Sequence, residues 1–125
     1  MISSEGELAS RELATHRLQQ AFLKWNDRGR LASVDAIEDL AKITGLCVEA
    51  HHGAHRILAY VLNRMLFAIS DYWECENTLN PDPFFEHGHQ PISKAISLLQ
   101  DDGASFDAIE LVMQQLIDAQ YQILM

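Results

Sequence analysis

From Leu46 to Glu76 the chain runs thirty-one residues without a proline. Ala54, Ile57, Leu58, Val61, Leu62, Met65, Leu66, Ile69 and Trp73 recur there at spacings of three and four, and Tyr60, Phe67 and Ala68 cover much of what remains. That spacing is helical. A helix apolar nearly all round must be covered on several sides. Length then constrains the rest. A continuous helix of this span measures about 46 Å, whereas a compact chain of 125 residues is about 35 Å across. Either the helix breaks at Gly53, leaving a rod of about 36 Å, or it projects and a partner covers it. A break or bend near Gly53 is the expectation, with dimerisation compatible with it.

The flanking sequence has helical spacing too, with no sustained alternation of the kind a strand needs. The expected fold is all-α: a compact bundle of about five helices around a long central helix, in a single domain over 1–125. Helix 1 covers about 5–27. Ser4 and Glu7 suit a capping box, Leu18, Ala21, Phe22 and Trp25 form an apolar stripe, and Asn26-Asp27-Arg28-Gly29 closes the helix with Gly29 as its C′ residue. Helix 2 covers about 34–44, capped by Ser33 or Asp35 with Glu38 three residues beyond the latter. Its inward residues are Ile37, Leu40 and Ala41, and Gly45 ends it. Asn80-Pro81-Asp82-Pro83 stops the long helix. Phe84-Phe85-Glu86-His87-Gly88-His89 reads as an irregular loop, packed down because two adjacent phenylalanines are costly in water. Helix 4 starts at Pro91 and ends at Asp101-Asp102-Gly103. Helix 5 begins after Ser105, with Asp107 and Glu110 at its positive end and a stripe of Ile109, Val112, Met113, Leu116, Ile117, Ile123 and Leu124.

Charge is unevenly placed. Residues 1–64 hold eight Lys/Arg and eight Asp/Glu, while residues 65–125 hold ten acids against Lys94 alone, so the whole net charge of −9 sits in the second half. Such a surface repels phosphate backbones and anionic headgroups and favours a basic protein, or serves solubility alone. The N-terminus has neither the basic nor the apolar region of a secretory signal, and no uncharged apolar run is long enough to span a bilayer. Cys47 and Cys75 lie about 42 Å apart on a continuous helix, far beyond disulfide reach. Reduced thiols in a cytoplasmic protein are the expectation.

Potential ligands and bases gather in one place. Cys47, His51 and His55 fall at i, i+4, i+8 and so share a helix face. Thiolate and imidazole suit zinc or iron, and His87 and His89 complete the set if their loop folds back. Glu49 and His52 spell the Glu-x-x-His pair of di-iron bundles, but the sequence holds no second copy. Cys47 near a helix start, beside His51, has the setting of an activated thiol, yet no oxyanion site accompanies it. Residues 40–48 have the form of the first helix and turn of a helix-turn-helix, which would present Glu49, His52 and Arg56 to DNA. His51 stands where that motif wants an aliphatic anchor, and the basic complement is sparse. The Asp101-Asp102-Gly103 turn lacks the spacing of a calcium loop. Helix-to-helix contact remains the leading expectation. It describes a small non-enzymatic interaction protein (an adaptor, chaperone-like cofactor or inhibitor), as a homodimer or on a protein partner, with Tyr60, Phe67 and Trp73 as outward anchors. A His/Cys metal protein is the alternative, and a DNA-binding regulator the third.

Overall fold

The computed structural model describes the backbone of residues 4–28, 34–75 and 83–124, with side chains over 10–26, 37–72, 83 and 86–124. It is an all-α bundle: α1 (Ser4–Arg28), α2 (Val34–Ala50), α3 (Gly53–Cys75), a wide π-helical turn (Phe84–Gly88), α4 (His89–Leu99) and α5 (Phe106–Leu124). No strand occurs among the described residues. Gly29, Ser33 and the Asn80-Pro81-Asp82 stop lie outside the described residues, as do the side chains of Ser4, Glu7, Phe84 and Phe85. Asp35 falls within α2 rather than ahead of it, so it is not the cap of that helix.

α3 is the axis. Leu58, Leu62, Met65, Leu66 and Ile69 are fully buried, and α3 packs on α2, α4 and α5. Each such side chain, moved from water into the core, contributes about 1.5–3 kcal/mol. From α1 come Leu18, Phe22 and Trp25, and from α2 Ile37, Leu40 and Ala41, as their stripes require. Ile92, Ala95, Ile96 and Leu99 of α4 and Ile109, Val112, Leu116, Ala119 and Ile123 of α5 complete one core. Two residues assigned inward by spacing face out instead: Ile57 on α3 and Ile117 on α5 are both exposed.

The main departure from the sequence reading is the α2–α3 corner. Gly45 does not end α2; the helix continues to Ala50, and α3 begins at Gly53. At twenty-three residues, α3 measures about 34 Å, which resolves the length conflict by the expected break. Gly53 carries the turn with φ +60°, a conformation that costs residues with a Cβ. Gly45 lies inside α2 against α3, where a Cβ would stand 3.7 Å from Asn63 Nδ2. That amide donates to Ala41 O (2.8 Å) and to Thr44 Oγ1 (3.1 Å), joining α3 to α2 through polar atoms. Since 40–48 form one helix, the turn a helix-turn-helix would need there is absent.

The second departure is residues 84–89, read as a loop. Residues 84–88 form the π-helical turn, which runs into α4 at His89. Pro91 therefore sits within helical backbone, and its ring would crowd the His87 carbonyl four residues back. The wider turn relieves that clash. Gly88 is buried there, with a Cβ position 3.4 Å from Ile123 Cδ1 and 3.6 Å from Ile92 Cδ1, so only a small residue lets the turn sit this close to α5. α5 opens as expected, with Ser105 Oγ accepting from the Ala108 N–H at 3.1 Å.

Candidate functional site

The histidine cluster occupies the corner where α2, α3 and the α4–α5 turn meet. A helix leaves its last carbonyls short of intrahelical partners, and the Leu99 carbonyl at the end of α4, the Cys47 carbonyl near the end of α2 and the Asp101 carbonyl of the α4–α5 turn converge here. Cys47 O, in the last turn of α2, accepts from the His51 backbone N–H at 3.0 Å and lies 2.8 Å from His51 Nδ1. The other ring nitrogen, Nε2, lies 3.2 Å from Leu99 O at the end of α4. His55 Nε2 lies 2.8 Å from Asp101 O, which also accepts the Ala104 N–H at 3.1 Å. The two rings stack, with centroids 6.2 Å apart and planes 12° from parallel. His51 is buried. A buried carbonyl left unpaired costs about 1–3 kcal/mol, so the pair clamps the corner to the α4–α5 turn.

An ion needs a bare lone pair on its ligand, and both nitrogens of His51 face carbonyl oxygens. The Cys47 thiol is fully buried, and burial pushes its pKa up to about 12. Burial thus favours the thiol over the thiolate that metal ligation and nucleophilic attack both use. His87 and His89 do not join the corner. His89 starts α4 and Leu99 ends it, which separates them by about 15 Å along the axis. The His89 ring lies instead 5.2 Å from Phe22 and stacks with Trp25 at 6.4 Å. Of the five residues proposed as ligands, the structure thus gathers Cys47, His51 and His55 and leaves His87 and His89 at the far end of α4. Among the described residues no group of three or more His, Cys, Asp or Glu is placed to hold a metal ion.

The proposed anchors on α3 separate as well. Tyr60 is 53% exposed and Ile57, one turn before it, 51%. Phe67 is half-buried and packs against the core. The Trp73 side chain lies outside the described residues. With Arg64, Ile57 and Tyr60 form a stripe at i, i+3, i+7 on the side of α3 away from Leu62, Leu66 and Ile69. α5 carries a comparable outward set, Phe106, Leu111, Ile117 and Tyr121, all exposed. Only Ile117 of these four belongs to the sequence stripe, and there as a core residue. The signal that could have found the others is large apolar residues on the polar side of a clear amphipathic helix.

A cleft of about 610 Å³ opens between α1 and the α4–α5 turn, lined by Arg11, Glu12, His16, Leu99, Gln100 and Asp102 among others. Arg11 reaches Asp102 Oδ1 only at 3.7 Å, and its Nε is buried without a hydrogen-bond partner among the described residues. With Glu12 and Asp102 both lining it beside the one guanidinium, the cleft has no net pull on an anion.

No protein-family model, no curated protein and no solved structure matches this chain. The fold and surface define an all-α bundle whose α3 and α5 carry large exposed apolar side chains, with further ones at Leu13, Leu23 and Leu46. No helix among the described residues is long and apolar enough to cross a membrane.

Proposed function

We propose that this is a small, acidic, non-enzymatic protein of the cytoplasm that works by helix-to-helix contact with other polypeptide, as an adaptor, chaperone-like cofactor or inhibitor, and that pairs with a second copy of itself through the outer face of α3. The observation that carries the reading is Ile57 and Tyr60, each more than half exposed on the helix whose opposite side is the centre of the core. Burying the exposed half of such a side chain contributes about 1 kcal/mol, and a two-fold contact uses each residue twice. Aromatic anchors of this kind dominate helix-mediated interfaces. A cytoplasmic setting suits Cys47, a buried free cysteine whose thiol stays protonated and unreactive.

Sedimentation of the purified chain tests this. At about 100 µM the expected mass is twice the 14.1 kDa of one chain. Ile57→Glu with Tyr60→Glu returns the protein to a single chain's mass with its helical signal and melting intact, because neither side chain belongs to the core. A parent protein that sediments as one chain overturns the self-association.

A further inference from the structure

We infer that the outer face of α5 is a docking surface for a basic amphipathic helix of a partner protein. The inference rests on the reading that this protein acts by helix contact, and it assigns the partner's chemistry on a different helix from the one used for self-association. Four large apolar side chains on α5 stand in water: Phe106 at 59% exposure, Leu111 at 60%, Ile117 at 39% and Tyr121 at 66%. They are not the rim of the core, whose α5 face is Ile109, Val112, Leu116, Ala119 and Ile123. At 100° per residue, Phe106, Ile117 and Tyr121 fall within about 60° of one another, and Leu111 lies about 80° further round.

The acids decide the occupant. Asp107, Glu110 and Asp118 are exposed and interleave with these side chains around the same surface. α5 contains no lysine or arginine, and among the described residues none of the three acids makes an ion pair. The face therefore mixes exposed apolar side chains with acids and has no cation on its own helix; Gln114 lies between them and donates to Asp118 Oδ1 at 3.1 Å, and Lys94 of α4 lines the same hollow as Asp118. A second copy of α5 would bring the same carboxylates opposite these, and like charges across an interface are repelled. Anionic lipid and nucleic acid are repelled in the same way. An amphipathic helix with aliphatic residues on one side and lysine or arginine along its flanks satisfies both features. Its apolar side covers the four exposed residues, and its flanks meet the three acids.

The probe is a synthetic eighteen-residue amphipathic peptide, leucine on the apolar stripe and lysine on the flanks, with a counterpart carrying glutamate in place of every lysine. Fluorescence anisotropy with the full chain should show the lysine peptide binding at least about tenfold more tightly than its counterpart. Asp107→Asn with Asp118→Asn should weaken that binding about tenfold, as should Tyr121→Ser. The same charge change made elsewhere, Asp39→Asn with Asp71→Asn, should leave it unchanged. If Tyr121→Ser disturbs folding, Phe106→Ser reports on the same stripe. No binding by the lysine peptide, equal binding by its counterpart, or equal loss in the Asp39/Asp71 control overturns the inference. A dimer that persists through α3 while the peptide fails to bind defeats this inference alone. A monomer that also ignores the peptide defeats the parent reading as well.

Discussion

At the scale of single residues, Cys47 shows how a sequence cluster and its chemistry separate. A glutamate and three histidines follow it within eight residues of chain, but its neighbours in space are core. Burial raises the thiol from 9.0 to about 12. Above pH 9 the unfolded chain loses a proton that the folded chain keeps. This contribution to stability is therefore complete below pH 9 and drains away as pH climbs towards 12. Against the parent, Cys47→Ala should show a shallower fall in unfolding free energy from urea titrations between pH 9 and 10.5, by up to about 1.4 kcal/mol per pH unit. Identical slopes would mean the thiol titrates normally and is not buried. The native thiol should also resist alkylation until the protein is unfolded. His51 and His55 separate in the same way. Helical spacing puts them side by side, but besides the local Cys47 oxygen that His51 meets, each reaches a main-chain oxygen far along the chain, 48 residues away for His51 and 46 for His55. A carbonyl carries no residue identity, so no pattern of letters could point to Leu99 or Asp101.

At the scale of elements, two glycines eight residues apart offer two places for the corner. The sequence accommodates both, with Gly45 as the end of one helix and Gly53 as a bend in the next. Apolar spacing cannot choose between them, because it runs through the corner unbroken. Tertiary contact makes the choice. Asn63 donates to Ala41 and Thr44 on the α2 side, which holds that segment helical through Gly45, and His51 caps the carbonyl end of α2 at Cys47 O. The two alanine substitutions should then have opposite signs. Gly45→Ala removes a helix-interior glycine at a site where the new methyl meets Asn63 at ordinary contact distance, so stability should rise by about 0.5–1 kcal/mol. Gly53→Ala places a Cβ in open space but at φ +60°, so stability should fall by about 1–2 kcal/mol from backbone strain alone. Thermal melts of the two variants read the signs directly, and a reversal would put the corner back at Gly45. The core faces of α1 and α2 were legible because amphipathic stripes depend only on local spacing. The turn at 84–88 was not, because its form answers to Pro91 and to the packing of Gly88 on α5.

At the scale of the whole molecule, the charge asymmetry was fully legible in the sequence and has opposite consequences for the two proposed contacts. Each copy carries a net charge of −9, so two copies that meet through Ile57 and Tyr60 do so against mutual repulsion. Apolar burial has to exceed that repulsion for a dimer to form. Raising salt from about 0.1 M to about 1 M shortens the screening length from about 10 Å to about 3 Å. The repulsion then fades while the hydrophobic term does not, so the dimer should tighten. A basic helix on α5 is drawn by the same charges that keep the copies apart, and screening removes that attraction. Its affinity should fall several-fold over the same range, mostly through slower association. Sedimentation and peptide anisotropy across one salt series therefore give slopes of opposite sign if the two faces are used as assigned. A dimer that loosens with salt would mean that ion pairs rather than Ile57 and Tyr60 hold it together. A peptide complex indifferent to salt would mean that Asp107, Glu110 and Asp118 take no part in recognition.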